Sequence, residues 1–188
     1  MNRLPHSYFE AVYEGGLDPW GFESRWYEER KRAITLAALP HPRYRRAFEP
    51  GCAIGVLTRE LAGRCDQVVA WDVHPDAAAE GARQCVDLDN VEVTTGAVPD
   101  EWPSGGFDLI LLSEVAYYLE PEGLDLLVSD VRGSLAVGGA VLAVHWLGET
   151  DYPLSGAETH RLLAEKLEWP RVVRHVDCEF MLDVWERQ

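Results

Sequence analysis

The feature that most constrains the fold of this chain is an alternation of short apolar runs with helical segments through its middle. The apolar runs occupy positions 46–49, 67–72, 91–95, 107–112 and 140–146. Helical patterns occupy the intervening segments 56–62, 75–85 and 121–135. The run FDLILL at 107–112 is almost continuously apolar, as in a central strand that is covered on both faces. The alternation predicts an open, mostly parallel sheet with helices on both faces.

The two ends of the chain extend this doubly wound α/β pattern. The segment 7–20 is aromatic and turn-rich, and a helix is predicted from position 21 or 22 to position 39, where prolines end it. After position 146 the pattern predicts a helix over 156–167 and two antiparallel strands over 171–177 and 178–185. We therefore expect one domain, 1–188, with seven strands. Its parts are an N-terminal helical cap (1–40), a ligand-binding core (46–146) and a C-terminal helix with the last two strands (147–188).

Composition and charge exclude several classes of function. The chain has 188 residues, 47% of them hydrophobic, and a net charge of −15, so it is expected to bury a core and to repel nucleic acids. No apolar run reaches the roughly 18 residues of a membrane span, and the N-terminus has no signal-peptide core. We expect a cytoplasmic protein with neither a nucleic-acid nor a membrane partner. The sequence does not determine its oligomeric state.

The cysteines and histidines do not form a metal site or a disulfide framework by their spacing. No C-x-x-C pair occurs among the four cysteines, Cys52, Cys65, Cys85 and Cys178. They are expected to be free thiols in a reducing compartment. Because the histidines are not spaced like metal ligands either, we predict no metal.

A glycine-containing turn follows the first strand, where ligands of parallel sheets bind. It reads E-x-G-x-x-x-G, with Glu49, Gly51 and Gly55 at the fixed positions and Ala53 between the glycines. A dinucleotide site would instead read G-x-G-x-x-G. An acid before the first glycine is a poor neighbour for a pyrophosphate and a good one for an ammonium group.

A second acid ends the next strand. Asp72 lies 21 residues after Gly51, where a carboxylate can accept hydrogen bonds from both hydroxyls of a ribose. Together with Glu49 it indicates a ligand with a nucleoside, a cationic end and no phosphates. S-adenosylmethionine fits that description.

At these residues the chain resembles the Rossmann-like S-adenosylmethionine-dependent methyltransferases, from about position 47 to position 146. The turn resembles the family's first motif, although the family usually has glycine where Ala53 stands. The resemblance implies that a Rossmann-like fold binds S-adenosylmethionine and releases S-adenosylhomocysteine. We therefore expect the following residues to bind the cofactor: Trp20, Glu49, Gly51, Ala53, Gly55, Asp72, Val73, Ala97, Val98 and Ser113. Trp20 is either a lid over the cofactor or an anchor in the core. Many members carry an acid for the adenine amino group where this chain has Gly96-Ala97-Val98, so adenine is expected to meet backbone and apolar groups.

Further motifs resemble the narrower nodulation N-methyltransferase (NodS-like) family. They are D-P-W-x-F at 18–22, Y-E at 27–28 with Lys31, S-E-V-x-Y-Y-L at 113–119, H-W at 145–146 and G-x-E-x-H at 156–160. The resemblance implies methylation of an amine on a small molecule, with an amino sugar as one candidate.

Methyl transfer mainly requires that donor, methyl group and nucleophile are held in line. A protonated amine must also lose its proton, which a carboxylate or an imidazole can accept. Glu114 and His145 end adjacent predicted strands and are the candidate catalytic residues. The candidate substrate-binding residues are Tyr117, Tyr118, Trp146 and His160. Each of these six side chains also has a purely structural interpretation, as a helix-start acid, a core aromatic or a hydrogen-bonded core histidine.

Three alternatives remain open at this point. A nicotinamide-dependent oxidoreductase would need a phosphate-binding glycine pattern that this chain lacks. A methyltransferase-like binding protein without turnover is compatible with Ala53 and with the missing adenine acid. Methylation of oxygen, sulfur or carbon is also open, because tyrosines and His145 can activate a hydroxyl. The sequence S-E-V-A at 113–116 differs from the motif of nucleic-acid amino-methyltransferases.

Overall fold

The computed structural model describes residues 3–188 and contains a single sheet whose strands alternate with helices. The helices are α1 (His6–Tyr13), α2 (Trp26–Ala37), α3 (Val56–Ala62), α4 (Pro75–Gln84), α5 (Pro121–Ser134) and α6 (Gly156–Leu167). The strands are β1 (Tyr44–Pro50), β2 (Cys65–Asp72), β3 (Val91–Thr95), β4 (Phe107–Ser113), β5 (Leu135–Trp146), β6 (Arg171–Val176) and β7 (Phe180–Glu186). A short 3₁₀ helix, Ala116–Tyr118, follows β4.

The strand order is β3-β2-β1-β4-β5-β7-β6. Strands β1 to β5 are parallel, whereas β7 pairs antiparallel with both β5 and β6. The predicted seven-stranded, mostly parallel sheet with a final antiparallel pair is therefore confirmed. The strand order reverses between β1 and β4, and a crevice is expected outside their carboxyl ends.

Strand β4 explains why the central run is continuously apolar. Successive side chains of a strand point to opposite faces. Ile110 and Leu112 pack into one hydrophobic core with Phe48, while Leu109 and Leu111 pack into the core on the other face. All five are fully buried, so both faces of the strand are covered, and its two polar residues, Asp108 and Ser113, lie near its ends.

The N-terminal part differs from the prediction in two ways. Helix α1 occupies part of the segment that was expected to be irregular, and α2 begins at Trp26, four or five residues later than predicted. The later start has a local cause. The carboxylate of Asp18 accepts hydrogen bonds from the backbone N–H groups of Phe22 (2.6 Å) and Glu23 (3.2 Å) and holds this segment in turns.

Smaller differences occur where strands meet their connections. Strand β5 begins at Leu135, five residues before the predicted start, because Gly138 at φ 79° lets the chain turn within it. The predicted boundary between the last two strands is a turn instead. There Asp177 accepts hydrogen bonds from the backbone N–H groups of Glu179 (2.8 Å) and Phe180 (3.0 Å).

The N-terminal segment lies across the carboxyl edge of the sheet. The backbone N–H of Leu4 donates to the carbonyl of Tyr118 (2.9 Å), and Arg3 forms an isolated antiparallel bridge with Leu119. The ring of Tyr27, on α2, packs edge-to-face on Phe180 with 6.2 Å between centroids. These contacts place the first two helices over the crevice. Within residues 3–188 no helix combines the length and the apolar character that crossing a membrane requires.

Two glycines at positive φ give a prediction about how α3 packs on α4. Gly55 has φ 80°, and a Cβ there would lie 2.9 Å from the Cα of Gly81; Gly138 has φ 79° and nothing within 4 Å of a Cβ. Gly138→Ala should therefore lower the free energy of unfolding only by the cost of a left-handed backbone at alanine, about 1 kcal/mol. Gly55→Ala should lower the free energy of unfolding by about 1–3 kcal/mol more, because its methyl group would overpack the contact with Gly81. Urea unfolding of both variants measures the difference, and equal losses would contradict the close packing.

Candidate active site

A cavity of about 460 Å³ opens at the carboxyl ends of the strands, beneath the N-terminal helices. Most of the residues singled out from the sequence line it. They are Trp20, Glu49, Gly51, Ala53, Asp72, Val73, Ala97, Val98, Ser113, Glu114, Tyr117, Tyr118 and Trp146. Gly55, His145 and His160 are not part of its lining.

The turn after β1 brings backbone into the cavity. Gly51 (φ 73°), Ala53 (φ 49°) and Gly55 (φ 80°) all adopt left-handed conformations. A Cβ on Gly51 would lie 2.1 Å from Cγ2 of Val115, so only glycine allows this turn to approach the segment after β4. Ala53 adopts a conformation that is more usual for glycine, at a cost of about 1 kcal/mol. Gly55 instead packs against Gly81 and supports the turn from behind.

Asp72 holds the turn and leaves acceptor capacity for a ligand. Its Oδ2 accepts a hydrogen bond from the N–H of Ala53 (2.8 Å), and its Oδ1 accepts one from the N–H of His74 (2.9 Å). Each carboxylate oxygen can accept a second hydrogen bond. Burial raises the pKa of Asp72, and the two backbone hydrogen bonds oppose that shift.

Glu49 is the most deeply buried acid of the cavity lining. It is the penultimate residue of β1, and its Oε2 has no hydrogen-bond partner among residues 3–188. Burial raises the pKa of Glu49 to about 7. A buried carboxyl group without a counter-charge favours its neutral form, and a cationic ligand would reverse that preference.

Glu114 joins several elements on the other side of the cavity. The residue adopts a left-handed conformation (φ 53°), which aims its side chain back toward the sheet. Its Oε2 accepts hydrogen bonds from the hydroxyl of Tyr117 (2.5 Å) and from the N–H of Trp146 (3.0 Å). Its Oε1 accepts one from Nζ of Lys31 (2.7 Å). The Glu114 carboxylate is thus fixed by three donors.

Lys31 is a site residue that was not predicted. It is 3% exposed, lies on α2 and pairs with Glu28 (3.1 Å) as well as Glu114. Its Nζ also lies 4.8 Å from the centroid of the Tyr27 ring. The sequence included Lys31 with the Y-E motif at 27–28 in the family resemblance but gave it no role in the site, because its pair with Glu114 spans 83 residues of sequence.

Aromatic rings form the wall next to Glu114. The rings of Tyr117, Tyr118 and Tyr152 lie with centroids 4.7–4.8 Å apart. Burial, followed by the nearby Glu114, raises the pKa of Tyr117 well above its usual value; burial also raises that of Tyr118. Both hydroxyls therefore remain protonated. Tyr152 lies in the loop before α6, and no sequence motif pointed to it.

The structure places His145 and His160 away from the cavity. His145 is fully buried and His160 is 1% exposed, and the two rings bond to each other with 3.1 Å between Nδ1 of His145 and Nε2 of His160. The expectation that both Glu114 and His145 face the acceptor is therefore not met. His145 precedes the last residue of β5, and at that position its side chain points into the core beneath the 3₁₀ helix.

The remaining predicted residues surround the Asp72 side of the cavity. Trp20 is partly buried and packs edge-to-face on Tyr13, with 5.4 Å between centroids. Val73, Ala97 and Val98 supply apolar surface, and Ser113 ends β4 between the two sides. Within residues 3–188, no group of three or more His, Cys, Asp or Glu side chains is placed to hold a metal ion.

A family model, Nodulation protein S (NodS), matches residues 14–134. Nodulation protein S from Rhizobium tropici is 30% identical over 124 residues, which are 65% of this chain and 52% of that protein. A trans-aconitate 2-methyltransferase from Mycobacterium tuberculosis is 34% identical over 136 residues, which are 71% of this chain and 48% of that protein. The chain thus spans about half the length of the curated relatives that it matches.

Solved structures share the fold over most of the chain. A candidate methyltransferase from Pseudomonas syringae is 42% identical with a TM-score of 0.78, covering 87% of this chain and 100% of that one. The N-methyltransferase NodS from Bradyrhizobium japonicum WM9, solved with S-adenosyl-L-homocysteine, has a TM-score of 0.78 at 20% identity and covers 97% of each chain. The Rossmann-like methyltransferase fold that the sequence resembled is confirmed.

The raised pKa of Glu49 predicts a pH dependence of stability. Because the pKa is about 7 in the folded protein and 4.5 in the reference state, the folded state binds the proton more tightly. The stabilisation is present below about pH 4.5 and is lost as the pH rises through 7. Between pH 5 and pH 8 the wild type should lose about 2–3 kcal/mol more unfolding free energy than Glu49→Gln. Urea unfolding measures both, and parallel pH profiles would contradict the assignment.

Proposed function

Since the chain belongs to the nodulation protein S (NodS) family, we propose that it is an S-adenosylmethionine-dependent methyltransferase whose acceptor is a small-molecule amine. The observation that carries the proposal is the pair of buried carboxyl groups, Asp72 and Glu49, on either side of one glycine turn. Asp72 retains acceptor sites for ribose hydroxyls, and Glu49 retains one for a cation. No pyrophosphate would be stable between two such acids.

The residues of the cavity match the chemical groups of this cofactor. Glu49 would hold the cationic amino-acid end, Asp72 the ribose, and Val73 and Val98 the adenine ring, beneath Trp20. The carboxylate at Asp72 is already oriented by two backbone N–H groups, so binding would cost little reorganisation. When bound, the cofactor supplies a methyl group from a sulfonium, and because the leaving group is a neutral thioether, its departure needs no acid.

The protein's contribution to the transfer is alignment. The acceptor would enter beside the rings of Tyr117, Tyr118 and Tyr152, whose faces stabilise the positive charge that develops on its nitrogen during transfer and shield the reaction from water. Tyr117 donates its hydroxyl hydrogen to Glu114, which leaves the oxygen lone pairs free to accept an N–H of the acceptor. The amine lone pair would then point toward the methyl group.

Glu114 acts in this proposal as an anchor and not as the base. Three donors already use its oxygens, and one of them is the ammonium group of Lys31. We therefore propose that the acceptor reacts as its free base. The proton of the product ammonium would leave to solvent when the product is released.

Methylation of a carboxylate is a second candidate, because a trans-aconitate 2-methyltransferase is among the relatives. A carboxylate acceptor would need a free cation near the tyrosines. Lys31 lies there, but both Glu28 and Glu114 already pair with it. Arg3, also in the lining, bonds to Asp100 (2.9 Å). This charge distribution favours an amine over an anion.

A labelled-methyl transfer assay tests the proposal directly. The panel contains amino sugars and short chito-oligosaccharides with a free amine, the same compounds N-acetylated, and trans-aconitate. We expect transfer to free amines only, since the lone pair of an amide is delocalised. Transfer to trans-aconitate would show that the acceptor is a carboxylate and would contradict the amine assignment. No transfer to any member, with cofactor binding intact, would contradict the amine assignment for this panel.

The ribose assignment predicts a specific loss of affinity. Asp72→Ala should weaken binding of S-adenosylhomocysteine at least tenfold, because it removes the ribose acceptor and releases the N–H of Ala53. Asp66→Ala is the matched control. It lies on the same strand with a side chain that is 57% exposed, far from the cavity, and should bind like the wild type. Calorimetric titration measures both; unchanged affinity in Asp72→Ala would remove Asp72 from the cofactor site.

A further inference from the structure

A chain of buried polar side chains runs behind the cavity wall and is not used by the proposed chemistry. It joins Asp183 on β7, His160 on α6 and His145 on β5, all at most 1% exposed. Asp183 Oδ2 lies 2.8 Å from Nδ1 of His160, and Nε2 of His160 lies 3.1 Å from Nδ1 of His145. The chain ends at the backbone N–H of Ala116, which lies 3.2 Å from Nε2 of His145.

The backbone amide at one end of this hydrogen-bond chain determines which ring nitrogen of each histidine carries the proton. The N–H of Ala116 can only donate, so Nε2 of His145 must be unprotonated. The proton of the neutral imidazole is then on Nδ1, which donates to His160. Nε2 of His160 must accept that hydrogen bond, so its own proton is on Nδ1 and is donated to Asp183. Both rings are therefore neutral and protonated on Nδ1.

The surroundings support this arrangement at both ends. Burial lowers the pKa of His145 well below its usual value, and His160 and Lys31 add to the shift. At the other end the free oxygen of Asp183, Oδ1, lies 3.5 Å from Nε of Arg171 and 3.6 Å from Nε of Arg174 on the neighbouring strand β6. Two guanidinium groups thus face this oxygen, and Asp183 is a fixed end point for the hydrogen-bond chain.

The amide at which the chain ends belongs to the acceptor side of the cavity. Ala116 is the first residue of the 3₁₀ helix that carries Tyr117 and Tyr118, and it follows Glu114 by two residues. The first amides of a helix have no partner within the helix. His145 supplies that partner from the core, and so determines where this helix lies relative to the cavity.

We propose that Asp183, His160 and His145 are positioning residues that hold the Ala116 amide, and with it the tyrosines of the acceptor site. The proposal rests on the proposed function only for its effect on the acceptor. The hydrogen-bond chain itself is a property of the unliganded protein. His145 does not touch the reacting atoms, and its contribution is to keep Tyr117 in reach of Glu114.

The first test needs neither a variant nor a substrate. Two-bond proton–nitrogen NMR correlations of the wild type at neutral pH distinguish the two neutral tautomers of each histidine. We expect both His145 and His160 to be protonated on Nδ1 and unprotonated on Nε2. An Nε2-protonated or a doubly protonated ring at either position would overturn the proposal, whatever the enzyme methylates.

The second test compares His145→Leu with His145→Gln. Leucine removes the acceptor, whereas the side-chain oxygen of glutamine can reach the position of Nε2 and accept from Ala116. We expect hydrogen exchange of the Ala116 amide to become at least tenfold faster in His145→Leu and to return toward the wild-type rate in His145→Gln. Wild-type exchange in His145→Leu would overturn the proposal.

Kinetics then separate positioning from general destabilisation. In His145→Leu we expect the acceptor KM to rise at least fivefold while the Kd of S-adenosylhomocysteine stays near the wild-type value, with His145→Gln close to wild type in both. Equal losses for acceptor and cofactor would mean a general structural role and would overturn the proposal. If the protein transfers methyl to no acceptor, the tautomer and exchange results still decide the positioning chain, so the two failures are distinguishable.

Discussion

The site depends most on the hydrogen bonds that the carboxylate of Glu114 accepts. It accepts hydrogen bonds from Lys31 of the N-terminal helices, from Tyr117 of the 3₁₀ helix and from the N–H of Trp146 at the end of β5. Because the residue itself adopts φ 53°, the chain turns sharply out of β4 and brings these three groups together. A buried cation paired with a fixed anion also joins the helical segment to the sheet, so the same contact closes the cavity and shapes it.

The two sides of the cavity are held by different means. On the proposed cofactor side, backbone geometry dominates: the turn that begins at Gly51 is held to the neighbouring strand by the hydrogen bond from the Ala53 amide to Asp72. On the proposed acceptor side, side chains dominate, and the proposed positioning residues support them from the core through His145. This division explains why a change on one side is expected to leave binding on the other side nearly intact.

The sequence predicted the sheet and most of the residues that line the cavity beside Asp72, because both follow from position along the chain. Apolar runs such as 107–112 show which strands are covered on both faces, and Glu49 and Asp72 stand where strands end. The acceptor side depends on distant contacts that no spacing reveals, such as the pair of Lys31 with Glu114. His145 stands at a strand end like the others, but the pattern does not tell whether a side chain there points into the cavity or into the core.

The central claim is that the cavity binds a sulfonium nucleoside and not a dinucleotide. Parallel calorimetric titrations of the purified protein with S-adenosylhomocysteine and with NAD test this most directly. The account predicts one site for S-adenosylhomocysteine with micromolar or tighter affinity and no saturable binding of NAD at the same concentrations. Binding of NAD, or of neither ligand, would contradict the assignment of Glu49 and Asp72 and the methyl transfer that depends on it.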